Sequence, residues 1–263
     1  DTRCSTVGCC STAKRLGTPT EPIWHTRPTS LRIRSTIITF SAVDFSRRPF
    51  RIEVDEQEHY YARTVIIASG ATAMLLGVPG ESELMGRGVS ACATCDGALP
   101  FFRNKPLAVA GGGDSAIEEA LFLSRFASRV FLIHRRDQFR ASKIMQERAM
   151  KHPKLEPILD SVIEEVLGDK AVTSLRLKNV KTGAIRELPC NGLFMGIGHQ
   201  PNTDFLKGQI HMDAQGYIEV RHPSTNTSVE GVFACGDVID PHYRQAVAAA
   251  GSGCVAALDA ERW

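Results

Sequence analysis

Apolar residues fall mostly into short runs, either alternating with polar ones or continuous over four or five positions, and helical spacing emerges in two places. Thr36–Phe40 and Phe50–Val54 predict short antiparallel strands. The second leads through Tyr61 into Thr64–Ala68, whose unbroken apolar character fits a buried strand. That run ends in Ser69-Gly70-Ala71, either an ordinary tight turn or one whose small residues let a ligand come close. Leu107–Ala110 is a compact apolar strand, Gly111-Gly112-Gly113 follows at once, and Ala116, Ile117, Ala120, Leu121 and Ser124 then recur at helical spacing. Val130–Ile133 is the next apolar run. Strand, glycine loop, helix and strand make one βαβ unit of a doubly wound, Rossmann-like α/β sheet.

Farther on, Val162–Val166, Ser174–Val180 and Ile185–Leu188 predict a meander with a turn at Lys181-Thr182-Gly183. Leu193–Gly198 follows as a buried strand that Pro201 and Asn202 break. Tyr217–Val220 and Val232–Asp237 again read as strands, and Ala246–Leu258 as a helix of small residues behind them. Residues 1–35, rich in Ser, Thr, Arg, Cys and Pro, show neither period. They predict an unstructured extension, either the remnant of an organelle transit peptide or a stretch foreign to the fold.

With 263 residues and 43% apolar content, the chain can bury the core of one large domain or two modest ones. A net charge of only +2, mixed in sign, argues against nucleic-acid binding. No apolar run approaches the roughly 20 residues needed to span a bilayer, so no membrane role is expected. Eight cysteines at irregular spacing are too few for a disulfide-stapled secreted scaffold, which predicts intracellular thiol use where reducing power is available.

The cysteines carry the most specific chemistry. Cys92 and Cys95, in Ala91-Cys92-Ala93-Thr94-Cys95-Asp96-Gly97, can close a small redox ring, and Asp96 can supply or remove the proton that thiol–disulfide exchange requires. Half of a zinc site is the rival reading, but Cys190, Cys235 and Cys254 stand alone and Cys4, Cys9 and Cys10 lack ribbon spacing, so no metal is expected. Gly111 and Gly113 permit a tight turn and close approach to a pyrophosphate lying over the helix amino terminus, with Ala116 at the third small position. At the end of the second strand, where an acid would favour NAD, stand His134-Arg135-Arg136 and Arg140. These cations fit a 2′-phosphate and favour NADPH, against the alternative of a solvated basic turn. Asp237, ending a buried strand, can accept hydrogen bonds from cofactor hydroxyls or cap the next turn.

The chain closely resembles the low-molecular-weight, NADPH-dependent thioredoxin reductases from about Val43 to Trp263. The resemblance rests on Gly88–Gly97, Gly111–Ala116, His134–Asp137, Gly196–His199 and Gly231–Val238, and the wording at Phe102–Pro106 and Arg140–Lys143 is most like plant or algal members. It implies a flavoenzyme of cell redox homeostasis in which NADPH reduces FAD, the flavin opens a Cys92–Cys95 disulfide, and the dithiol reduces thioredoxin. Cys95 would face the flavin, Cys92 would attack the partner, and Asp96 would be the acid/base. Gly111, Gly112, Gly113, Asp114, Ser115, Ala116, His134, Arg135, Arg136, Arg140 and Gly198 would hold NADP. Gly70 and Ala71, with Asp237 at the ribityl chain and Arg244, Gln245 and Ala246 near the flavin ring, would hold FAD.

The resemblance further implies a partial FAD domain at 36–72 and 200–263 around an NADPH domain at 73–199 that carries the dithiol. Hinges near Ala71–Gly77 and Gly198–Asn202, a homodimer, and a cytoplasmic location, or else a plastid or mitochondrion, belong to the same expectation. One departure stands out. The family's first Gly-x-Gly-x-x-Gly loop, for the FAD pyrophosphate, has no counterpart, because only Gly8 and Gly17 precede Gly70. Weak or no retention of FAD is therefore expected, and an inactive or regulatory NADP-binding remnant is the alternative function.

Overall fold

The computed structural model describes residues 40–54 and 58–263. The extension at 1–35 and the strand expected over 36–39 lie outside them. The described chain divides into two units, one formed by the residues up to Thr72 together with Gln200–Trp263, the other by Ala73–His199.

In the first unit, β1 (Phe40–Asp44), β2 (Phe50–Val54) and β3 (Glu58–Ala62) form an antiparallel sheet in chain order. Along β2, Phe50, Ile52 and Val54 are buried while Arg51 and Glu53 are half-buried, which is the alternation of a strand with one face on a core. β4 (Val65–Ile67) follows, and β5 (Ala71–Ala73) takes the chain into the second unit.

That unit is a βα body whose parallel sheet carries helices on one face and an antiparallel meander on the other. It runs through β6 (Val89–Ser90), α1 (Ala93–Asp96), β7 (Pro106–Ala110), α2 (Asp114–Leu123), β8 (Arg129–Ile133), α3 (Lys143–Lys151) and β9 (Leu155–Ile158). The antiparallel meander β10 (Ser161–Gly168), β11 (Val172–Asn179) and β12 (Ile185–Pro189) precedes the last strand, β13 (Leu193–Met195). The parallel sheet has the order β6-β13-β7-β8-β9. Its strands read as continuous apolar runs because both faces are covered. Leu107, Val109, Val130, Leu132 and Phe194 pack toward the helices with Ala116, Ile117, Ala120 and Leu123. Ala108, Ala110, Phe131, Ile133, Leu193 and Met195 pack toward the meander with Val166, Val172, Leu175, Leu177 and Leu188.

The chain returns through β14 (His199–Pro201) to β15 (Val232–Ala234), parallel to β4, and ends in α4 (Ala246–Arg262). The strand expected at Tyr217–Val220 does not form. Ile218 makes one isolated bridge to Met212, and the Asp213 carboxylate accepts from the N–H groups of Gln215 and Tyr217, folding the segment into a turn. Tyr217 and Ile218 are both buried, which a pleated strand with one covered face does not allow.

Candidate active site

The dithiol sits where the edge strand β6 hands over to the short helix α1. Cys92 is the N-cap of α1, Cys95 and Asp96 are its last two residues, and the two cysteines are joined by a disulfide with Cα atoms 5.3 Å apart. The Cys95 N–H donates to Cys92 Sγ at 3.2 Å, a contact that steadies negative charge on that sulfur when the bond opens. Cys92 and Asp96 are half-buried and Cys95 is exposed. Ser90, buried on β6, touches both ends of the motif. Its hydroxyl donates to Asp96 Oδ2 at 2.6 Å and accepts from the Cys92 N–H at 3.1 Å. Sequence reading missed Ser90, because nothing local to Val89–Ser90 signals a partner six residues on.

The nucleotide loop lies between β7 and α2. Gly111 has φ +147°, and a Cβ there would stand 2.3 Å from the Gly196 carbonyl oxygen and 2.7 Å from Ala116 Cβ, so helix and strand meet with no room for a side chain. A Cβ on Gly112 would stand 2.3 Å from His134 Nδ1, whereas one on Gly113, the N-cap of α2, would meet nothing and no side chain caps it. The loop is tied to the basic segment after β8. The N–H groups of Arg140 and Ala141 donate to the Gly112 carbonyl at 2.7 and 3.1 Å, and the Ser142 hydroxyl and N–H both donate to Asp114 Oδ1. Arg135, Arg136 and Arg140 are exposed beside it, while His134 is only 5% exposed. Burial holds the His134 ring neutral, its pKa below the usual 6.5 despite the hydrogen bond to the Gln138 backbone, and the three arginines push the same way. Its Nε2 has no partner among the described residues.

An uncapped helix start, a cradle closed to side chains at Gly111 and Gly112, and three exposed guanidinium groups suit a dinucleotide bearing a 2′-phosphate. The structure brings Gly111–Ala116, His134, Arg135, Arg136 and Arg140 together. Gly198 (φ +106°) lies near the end of this unit, two residues beyond the Gly196 that packs against Gly111 and Ala116, and its carbonyl accepts from the Met74 N–H.

The residues assigned to FAD gather in the other unit. Gly70 and Ala71 follow β4, and Asp237 follows β15. Since these strands are parallel, with Ile67 opposite Ala234, both leave from one carboxyl end, where ligands of open α/β sheets bind. Ser69 Oγ is buried there without a partner among the described residues. Burial raises the Asp237 carboxyl above its usual range, Asp240 adds to this, and Arg244 opposes it. A group offering hydroxyl donors would relieve both. Arg244 and the N-cap Gln245 lead into α4 at Ala246, set by Asp240, whose carboxylate accepts from the N–H groups of His242, Tyr243 and Arg244. Those three N–H groups outweigh burial and hold Asp240 below the usual carboxylate range. These residues fit the sugar and ring side of a flavin dinucleotide. No glycine loop for its pyrophosphate stands before Gly70.

Among the described residues no group of three or more His, Cys, Asp or Glu is placed to hold a metal ion, and no helix is long and apolar enough to cross a membrane.

The family described as pyridine nucleotide-disulphide oxidoreductase matches residues 12–253. The chain is 54% identical over 227 residues to a thioredoxin reductase of Dictyostelium discoideum, covering 86% of this chain and 71% of the relative. It is 52% identical over 246 residues to thioredoxin reductase 2 of Arabidopsis thaliana, covering 90% of this chain but only 64% of the relative. Among solved structures, thioredoxin reductase from Giardia duodenalis matches with a TM-score of 0.80 at 49% identity, over 86% of this chain and 74% of that one. The enzyme from Streptococcus pyogenes matches with the same score at 40% identity, over 85% and 72%. With a disulfide at the head of α1, a nucleotide cradle at α2 and these likenesses over most of its length, the chain belongs to the pyridine nucleotide-disulphide oxidoreductases, and within them to the thioredoxin reductases.

Proposed function

We propose that the chain is a thioredoxin-disulfide reductase, passing electrons from NADPH through FAD and the Cys92–Cys95 pair to thioredoxin. The observation that carries this reading is the disulfide whose helix also bears Asp96, in the same unit as the nucleotide cradle. When bound, NADPH supplies a hydride and FAD relays its electron pair to a disulfide. Gly111–Ala116 seat the pyrophosphate of NADPH on the start of α2, and Arg135, Arg136 and Arg140 hold its 2′-phosphate. Gly70, Ala71, Asp237, Arg244, Gln245 and Ala246 hold the flavin nucleotide on its sugar and ring side. The Cys92–Cys95 bond takes up two electrons and opens to a dithiol, Asp96 moving the proton to the sulfur that leaves. Cys92 then attacks the disulfide of thioredoxin, and Cys95 closes the ring again.

The family's partners and setting complete the reading: a homodimer that reduces thioredoxin, in the cytoplasm or in a mitochondrion or plastid. The test is NADPH-dependent reduction of thioredoxin with FAD in excess. Turnover that is lost in Cys92→Ser supports the proposal, and none at saturating FAD refutes it. A second reading, an NADP-binding module that does not hold FAD, has behind it the bare face of α4, where Val247 is 85% exposed. It predicts nicotinamide binding without flavin, so FAD co-purifying in equal amount excludes it.

A further inference from the structure

We infer that Ser90 is the positioning residue of the dithiol, its single hydroxyl proton fixing the Asp96 carboxylate while its lone pair fixes the Cys92 amide. The inference rests on the reading of this site as a thiol–disulfide centre. Ser90 is 4% exposed and lies on β6, opposite Phe194 of β13, so the parallel sheet anchors it. Its oxygen has three partners within reach but only one proton to give. The Cys92 N–H can only donate, at 3.1 Å, which leaves the proton to choose between Asp96 Oδ2 at 2.6 Å and the Cys92 carbonyl at 3.4 Å. The shorter bond, to a carboxylate, takes it.

One hydroxyl thus ties both ends of the motif to the sheet edge. Cys92 keeps its place as N-cap whether or not the disulfide is closed, and the Asp96 carboxylate is held by its Oδ2. In the exchange itself, an incoming thiolate bonds to one sulfur and the Cys92–Cys95 bond breaks. Its electron pair leaves on the other sulfur, which takes, by way of the Asp96 carboxylate, the proton that the incoming thiol gave up. A second thiol of the reductant then gives up its proton and attacks the first reductant sulfur in the mixed disulfide, the enzyme sulfur leaves with the electron pair and takes that proton, and the products are the dithiol and a reductant oxidised to its disulfide. Ser90 touches neither sulfur in these steps; it acts through Asp96 and the Cys92 amide.

The test uses the full chain, and its thiol readout needs neither flavin nor nicotinamide. Reduction of the Cys92–Cys95 bond by dithiothreitol is stopped with iodoacetamide and timed by mass spectrometry, and NADPH affinity is measured alongside to report folding. Ser90→Thr and Ser90→Val have nearly the same shape and differ by the hydroxyl. The threonine variant is expected to run within about threefold of the parent and the valine variant roughly tenfold slower, the worth of one charge-assisted hydrogen bond. Placed on Asp96→Asn, which is itself slowed, Ser90→Val is expected to add less than it does on the parent, because the two substitutions share the Ser90–Asp96 contact and only the Cys92 amide contact is then left to lose. Equal rates for the threonine and valine variants, or full additivity with Asp96→Asn, would overturn the inference. Loss of thioredoxin turnover with the Thr/Val contrast intact would instead refute the reductase reading and leave Ser90 in its role.

Discussion

The two units each set a helix against parallel strands, and they differ in how much of that helix they cover. In the nicotinamide unit α2 has ten residues, of which Ala116, Ile117, Ala120 and Leu123 are wholly buried against β7 and β8. In the other unit α4 has seventeen, of which only Ala256 is buried. Its residues Ala246, Val247, Ala250, Gly251, Cys254, Ala257 and Leu258 are exposed at helical spacing. The strands tell the same story. One face of β4 and β15 packs on a core that includes Phe50, Ile52, Leu206 and Ile218, while the other offers α4 little beyond Phe233 and Cys235. Among the described residues, the sheet that β7 and β8 share has five strands, and the sheet of β4 and β15 has two. The lesson is that the unit proposed to bind nicotinamide holds its own core, whereas the unit proposed to bind flavin has one side of its core thin.

The largest expected difference is in thiol chemistry. Burial pushes the Cys190 thiol in the nicotinamide unit up to about 12, with a backbone contact from Gly192 opposing weakly, while Cys254 on α4 is exposed. Iodoacetamide at neutral pH should label Cys254 and spare Cys190 by orders of magnitude in rate, since the thiolate is the reactive form. Comparable labelling of both would break the contrast.

Stability follows. Ile117→Ala should cost about 3 kcal/mol in denaturant unfolding, as for a fully buried aliphatic side chain. Val247→Ala should stay within about 0.5 kcal/mol. A costly Val247→Ala would mean that the α4 face is covered in solution.

Nucleotide affinity comes next. Gly112→Ala drives a methyl into the His134 ring and should weaken NADPH binding by about tenfold or more. Adding His134→Ala should recover part of that loss, as calorimetric titration would show; no recovery would mean the ring is not what the methyl meets.

The smallest effects are in pH, and they have opposite signs in the two units. His134 has its folded pKa depressed, so its contribution is present above 6.5 and lost as pH falls through the folded value. Asp237 has its folded pKa raised, so its contribution is present below 3.8 and lost as pH rises through the folded value. His134→Gln should therefore flatten the acid-side loss of protection in hydrogen exchange of the nicotinamide unit. Asp237→Asn should increase protection near β15 at neutral pH, by a margin reduced by its partial exposure.

Much of this was legible in the sequence. The glycine loop stands between an apolar strand and a helix, and the dithiol and its neighbouring acid lie within five residues, so local pattern sufficed. What escaped was short, polar or non-local. β6 has two residues. α3 (Lys143–Lys151) buries only Met145 and Ala149 among charged neighbours, and β9 contains Pro157, which speaks against a strand. Tyr217–Val220 looked like a strand because its composition suits one, and composition does not reveal that no partner strand is paired there. Ser90 was invisible for the same reason that it matters, since its partners are set by the turn into α1.

The most direct test of the reductase reading is a thiol count. Protein saturated with FAD is treated anaerobically with NADPH, alkylated and mapped by mass spectrometry, against a sample without added FAD. The account predicts two new alkylated cysteines, Cys92 and Cys95, appearing only with FAD. With FAD and NADPH both bound, an intact Cys92–Cys95 disulfide would contradict it.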